Sequence, residues 1–323
     1  MTDTPSRTKS LLEDVHDRGF EARVVRQMKE DVACFSQRDF SHRDCPACGS
    51  DQRTLNCTAD GFQFQECSAC KTLYLSPCPN DEEIVDFLNS SEGFRMWRED
   101  MPQDVVNRRQ RMYRERAELI ISLLSASPAM PATVLEIGAG NAYLAQHLID
   151  NSISYIGIEP QPLPKPIAGA EIIIGTFQNA RVQRPVDVVC AFEVIEHLTD
   201  PHSFLNFARD ALKPLGSLVI STPNCAGYEI QKLGARSHSV AFDHVAVYNP
   251  TSMRGMLERA GFTDINITTP GRFDTELVLQ AWREGLITLD VGEAAELLAA
   301  GFQDRLQHES RSAHMRVVAK APV

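Results

Sequence analysis

The sequence predicts an α/β chain in which a doubly wound, mostly parallel sheet follows a small cysteine-bearing ribbon. Three observations predict it. From about residue 131 onward, short apolar runs alternate with helical patterns. One of those runs, "TVLEIGAG", feeds a glycine turn that opens a helix. Ahead of them stand two Cys-x-x-Cys turns, Cys45/Cys48 and Cys67/Cys70, with eighteen residues between.

The 323 residues suffice for one large domain or two modest ones, and 43% apolar with 23% charged content is ordinary for a globular chain. The net charge of −11 is spread evenly, with 17 Lys and Arg against 22 Asp and Glu over residues 1–130 and 15 against 21 thereafter. Such a balance counts against a long nucleic-acid track. The local exception is "NRRQRMYRER" (Arg108, Arg109, Arg111, Arg114, Arg116), for which a solvated helix face ranks ahead of a phosphate-binding patch. The first residues hold no apolar leader core, and no apolar run approaches membrane-spanning length, so a cytoplasmic protein without a membrane partner is expected.

In chain order, a helical segment is expected over residues 1–40 and a ribbon over 41–78. Each Cys-x-x-Cys turn can hold one cation with two thiolates, so Cys45, Cys48, Cys67 and Cys70 make a tetrahedral Cys₄ site for a structural Zn²⁺. Between the pairs, "TLNCTADGFQFQEC" alternates apolar and polar residues around an Asp-Gly turn, as a hairpin does. Redox chemistry would need only one pair, opening a helix beside a βαβ unit. Helices "DEEIVDFLNSSEGFRMW" and "VVNRRQRMYRERAELIISLLSAS" form a connector over 79–130, stopping before Pro128 and Pro131.

The main domain is expected over 131–323. Its strands are "TVLEIGAG", "YIGIEP", "EIIIG", "VDVVCAF" and "SLVIST", with helices such as "PHSFLNFARDALKPLG" between most of them. Right-handed crossovers place the ligand at the carboxyl ends of the strands. The turn Gly138-Ala139-Gly140 permits close backbone approach, and Glu159 follows it by about 20 residues, where a carboxylate can accept both hydroxyls of a ribose.

In this order, "VLEIGAGNAYLAQHL", "YIGIEP", "VDVVCAFEVIEHLTDP" and "GSLVISTPN" resemble class I S-adenosylmethionine-dependent methyltransferases. The cysteine-rich leader and the closing "SAHMRVVAKAP" resemble, more narrowly, bacterial enzymes that tailor glycans and secondary metabolites. The resemblance implies a Rossmann-like sheet of seven strands, the last antiparallel, and S-adenosylmethionine as methyl donor. It also implies site residues: Glu136, Gly138 and Gly140 at the methionine end, Glu159 on the ribose, Phe177 at the adenine, and Phe192 beside the methyl group. Core packing is an equally weighted reading of Phe177. Ala142 stands where the family usually has a third glycine.

The segment "AFEVIEHLTD" then lies at the lip of the crevice. If residues 194–198 form a helical turn, Glu193, Glu196 and His197 project to one side. His197 is read first as the proton acceptor, oriented by Glu193 or Glu196. A resemblance to ubiquinone-pathway and small-RNA 2′-O-methyltransferases implies a second reading, a divalent metal at Glu193, Glu196, His197 and His244. Helix N-terminal carboxylates without a catalytic role are the third.

Residues 228–248 and a helical insertion at about 271–310 are expected to shape the pocket. Together these readings predict methyl transfer to a hydroxyl of a small polar acceptor, a sugar, nucleotide-sugar or natural-product scaffold. RNA or quinone O-methylation and a non-catalytic binding module are the alternatives. The partners expected are a small-molecule acceptor and, at most, a second copy of the chain as a homodimer.

Overall fold

The computed structural model describes residues 18–34, 40–125 and 132–323. The remainder of the expected N-terminal helical segment, and the Pro128 and Pro131 stop, fall outside the described residues. Helix α1 (Arg18–Cys34) precedes a hairpin of β1 (Arg53–Ala59) and β2 (Phe62–Cys67). The hairpin turns at Asp60 and Gly61, both with positive φ (49° and 88°), as an Asp-Gly type I′ turn requires. Strand β3 (Leu73–Leu75) completes the cysteine-bearing ribbon.

The connector holds α2 (Asp81–Ser90), α3 (Glu92–Glu99) and α4 (Gln103–Ser125). One helix was expected where α2 and α3 stand. The break has a local cause: Ser91 takes extended backbone, ends α2, and caps α3 by accepting from the Phe94 amide, while its hydroxyl donates to Asp31 of α1 at 2.6 Å.

The large sheet is built from β4 (Thr133–Ile137), β5 (Ser154–Glu159), β6 (Ala170–Ile174), β7 (Val186–Phe192) and β8 (Leu212–Pro223). Strand β9 (Ala246–Val247) belongs to the ribbon sheet, and β10 (Thr263–Thr268) and β11 (His314–Lys320) close the large one. Its order is β10-β11-β8-β7-β4-β5-β6, with β11 antiparallel to both neighbours and β4, β5, β6, β7 and β8 parallel. Strand β4 is buried at every position, and every residue of β7 but Asp187 is buried, as strands covered on both faces must be. The chain runs outward through β5 and β6, then returns to the other side of β4 as β7. That reversal leaves a crevice at the carboxyl ends of β4 and β7.

The helices between strands are α5 (Tyr143–Ile149), α6 (Pro201–Ala211), α7 (Tyr228–Leu233) and α8 (Pro250–Arg259). The insertion before β11 holds α9 (Asp274–Arg283), α10 (Val291–Leu297) and α11 (Phe302–His308). The ribbon is packed into this domain. Strand β3 pairs with β9, registering Leu73 with Val247 and Tyr74 with Ala246. Cys45, Cys67 and Tyr74 share one apolar core with Phe204, Tyr248 and Met253. The Arg43 guanidinium donates to the carbonyls of Leu75, Thr199 and Val245, joining ribbon to crevice wall. Among the described residues no helix is long and apolar enough to cross a membrane.

Candidate active site

The glycine turn after β4 is held by its own backbone. The amides of Gly138 and Ala139 both donate to the Ile158 carbonyl, at 2.9 and 3.1 Å, tying the turn to the end of β5. Gly138 has φ +70°, and a β-carbon there would lie 2.6 Å from Val194 Cγ2, so only glycine fits without rearrangement. Ala142 takes the left-handed conformation (φ 51°, ψ 38°) that a glycine would hold more cheaply. Glu159 Oε2 accepts from the Gly140 amide at 2.8 Å. Burial raises the Glu159 pKa, partly offset by that bond and by the Gln161 amide.

Glu136 is buried on β4 and accepts a 2.5 Å hydrogen bond from the Tyr155 hydroxyl. Burial pushes its pKa up to about 7, against the opposing pull of Tyr155 and of Arg116. Arg116 departs from the solvated face expected of its cluster. Its side chain is 13% exposed, lies 4.3 Å over the Phe192 ring, and has Nη2 3.7 Å from Glu193 Oε1. Arg109, on the same face, lies 4.1 Å over Trp97. The signal was present in the sequence: Arg109, Tyr113 and Arg116 share helical spacing with the buried Val105, Ala117 and Ile120. Phe177 is buried, edge-on to Phe204 at 5.7 Å and beside Phe207.

Of Glu193, Glu196 and His197, expected on one side, Glu196 and His197 gather with His244, and Glu193 turns away. Glu193 has φ +58°, and the residues after it make a short 3₁₀ turn, Ile195–His197, in place of an α-helical one. The glutamates therefore diverge. Glu193 takes bonds from Ser221 Oγ at 2.6 Å and from His314 Nε2, which lies 2.8 and 2.9 Å from its two oxygens. Burial works to raise the Glu193 pKa, but His314, Arg116 and Ser221 outweigh it and hold the carboxyl well below the usual range. His314 was not read from the sequence; 121 residues separate it from Glu193, and no spacing motif links them.

Glu196, His197 and His244 gather on the other side, one ligand atom of each lying within 4.8 Å of the others. Glu196 is fully buried. Its Oε2 accepts from Thr222 at 2.9 Å, and Oε1 has no hydrogen-bond partner among the described residues. Burial and the Glu193 charge raise its pKa well above the ordinary value. His197 donates from Nδ1 to the Asp243 carbonyl at 2.8 Å, and His244 from Nδ1 to the Ser239 carbonyl at 3.0 Å. Each Nε2 therefore carries a lone pair. The rings meet edge-on, 4.8 Å apart, and burial together with His244 lowers the His197 pKa.

In the ribbon the four cysteine sulfurs lie within 4.8 Å of one another, Cys45 to Cys70 at 3.5 Å and Cys48 to Cys67 at 3.6 Å. Tetrahedral zinc with Zn–S bonds of about 2.3 Å separates its sulfurs by about 3.8 Å, so the cage has the right size. The hydrogen bond from Cys45 holds the Cys70 thiol down to about 4, while Cys45 itself is raised.

Residues 107–267 match the family model described as a methyltransferase domain. The chain carries a methyltransferase domain. An uncharacterised methyltransferase of Mycobacterium leprae is 29% identical over 103 residues, 29% of this chain and 38% of the relative. The mitochondrial ubiquinone biosynthesis O-methyltransferase of Schizosaccharomyces pombe is 28% identical over 101 residues, 28% of this chain and 37% of the relative. The match thus spans less than two-fifths of either curated relative. The solved phosphoethanolamine N-methyltransferase 2 of Haemonchus contortus is 15% identical with TM-score 0.47, covering 78% of this chain and 62% of that one.

Proposed function

We propose that the chain transfers a methyl group from S-adenosylmethionine to a hydroxyl of a small polar acceptor, a sugar, nucleotide-sugar or natural-product scaffold. One observation carries this reading: the glycine turn, Glu136 and Glu159 meet at the switch point of the sheet, and a polar histidine–carboxylate lip faces them across Phe192. Glu159 would accept the ribose hydroxyls. The turn at Gly138 and Gly140 would take the methionine end, and ionised Glu136 its ammonium group. The Cys₄ ribbon would hold a structural Zn²⁺, since all four ligands come from protein and none is left for substrate.

At the lip, the bare Oε1 of Glu196 and the gathering of Glu196, His197 and His244, one ligand atom of each within 4.8 Å of the others, favour a divalent-cation site there. A cation bound there would act as a Lewis acid, lowering the pKa of an acceptor hydroxyl. Glu193, occupied by His314 and Ser221, stands outside this set. The chain's own residues shape the site: Thr222 orients Glu196, and the Asp243 and Ser239 carbonyls fix both imidazole tautomers. The second reading keeps His197 as the proton acceptor, favoured by its lowered pKa, which leaves the ring neutral at neutral pH.

Labelled methyl transfer from S-adenosylmethionine to a panel of hexosides, catechols and hydroxybenzoates tests the function. Transfer to a hydroxyl supports it; saturable donor binding with no transfer to any acceptor class favours a non-catalytic module. A chelator too weak to strip the Cys₄ site separates the two lip readings. Lost activity restored by Mg²⁺ or Mn²⁺ supports the cation, and chelator-insensitive turnover abolished by His197→Ala supports His197.

A further inference from the structure

A cation held at Glu196, His197 and His244 would occupy His197, and the acceptor's proton would then need another destination. We infer that His314 takes it, with Glu193 as the carboxylate that orients it. This rests on the methyl-transfer reading above.

The topology brings His314 to the crevice. It is the first residue of β11, the strand that runs antiparallel, and it registers with Pro223, the last residue of β8. Its side chain therefore stands at the carboxyl ends of the parallel strands, beside Glu193, which follows the last residue of β7. Nε2–H donates to the Glu193 carboxylate, so Nδ1 is left with its lone pair, and no described group bonds it. The side chain is 36% exposed, against 17% for His197, so it is open to a substrate and to proton exchange with solvent.

The dyad is braced on every side. Ser221 bonds the carboxylate, Arg116 approaches it while stacked on Phe192, and Glu136 lies beyond Arg116 toward the donor turn. The segment ahead of His314 is pinned by the buried Asp274, which accepts from the Ser312 hydroxyl at 2.6 Å and the Ala313 amide at 2.7 Å. Asn224 bonds the carbonyls of Ser312 and Ala313 from the other side. Glu193 keeps a left-handed φ, a strained conformation for a side-chain-bearing residue that the surrounding bonds sustain. A carboxylate bonded to one imidazole nitrogen, with the other nitrogen bare in a half-exposed ring at the carboxyl ends of the strands, is the arrangement of an oriented general base.

In the step, a lone pair of the acceptor oxygen forms the bond to the methyl carbon. The carbon–sulfur bond breaks toward sulfur, leaving neutral S-adenosylhomocysteine. The hydroxyl proton passes to His314 Nδ1, and the imidazolium forms against the Glu193 carboxylate before losing its proton to solvent. The positive charge of the sulfonium thus leaves as a proton.

His314→Gln tests this, because the glutamine amide can still donate to Glu193 but cannot accept a proton. Labelled-methyl turnover on any panel hydroxyl acceptor should fall about 10²–10⁴-fold, with donor affinity within about twofold of wild type. Near-normal turnover by the variant overturns the proposal. A second measurement needs no acceptor: nitrogen-15 histidine spectra of the full chain saturated with S-adenosylhomocysteine. They should show His314 protonated at Nε2 and bare at Nδ1, with that preference lost in Glu193→Ala, which removes the acceptor; protonation at Nδ1 in wild type also overturns the assignment. If the folded chain binds no S-adenosylmethionine by calorimetry, the methyl-transfer reading has failed, which is a different result from a dispensable His314.

Discussion

Replacing Glu136 by Gln separates the cost of a buried charge from its use. The wild-type carboxyl ionises near 7 in the fold against an ordinary 4.5. Between those values the folded chain keeps a proton that the unfolded chain has lost. Its stability therefore falls as pH rises from about 4.5 to about 7, and this contribution is flat above. At about 1.4 kcal/mol per pH unit, holding the charge at pH 8 costs roughly 3 kcal/mol. Glutamine keeps an acceptor for the Tyr155 hydroxyl and has no charge to bury.

Without ligand, Glu136→Gln should match wild type near pH 4.5 and exceed its unfolding free energy by roughly 1–3 kcal/mol at pH 8. The donor reverses the sign, because an ammonium group favours the ionised carboxylate. Wild-type affinity for S-adenosylmethionine should rise with pH up to about 7. The variant's affinity should be flat across this range and about 10–100-fold weaker at pH 8, the loss of one charge-assisted hydrogen bond. Urea unfolding and calorimetric titration at several pH values read both effects. Parallel stability curves and an unchanged affinity at pH 8 would refute the burial argument and the ammonium assignment together.

Cys67→Ser should leave purified protein with no bound zinc by elemental analysis and lower the unfolding midpoint, because metal affinity in such a cage is folding free energy; wild type that carries no metal would sink the zinc assignment. Gly138→Ala, strained by φ +70° and by the approach to Val194, should cost about 1–3 kcal/mol in urea unfolding and weaken donor binding. An unperturbed variant would mean the turn tolerates a side chain there.

Much of the fold was legible because its signals are local. The five parallel strands of the large sheet announced themselves by short apolar runs, and the hairpin by Asp60-Gly61. The cysteine cage followed from spacing alone. What stayed hidden depends on contacts distant in sequence. Strand β9 has two residues and exists only through pairing with β3. The α2–α3 break depended on Ser91 finding Asp31. The lip was misjudged because helical spacing was assumed through residues 194–198, whereas the left-handed φ at Glu193 turns its carboxylate toward His314. The arginine-rich helix was misread: its polar composition suggested solvent, whereas its spacing, not weighed, sets Arg116 on the buried face, where it lies over Phe192.

The crevice after β4 and β5 is proposed to bind S-adenosylmethionine through Glu159. Calorimetric titration of the donor into folded wild type and Glu159→Ala tests it most directly. One donor per chain should bind wild type, and the variant should bind it about 10–100-fold more weakly, the 1–3 kcal/mol expected for ribose hydroxyls left without their acceptor. Equal affinities for the two proteins, or no binding heat with folded wild type, would contradict the account.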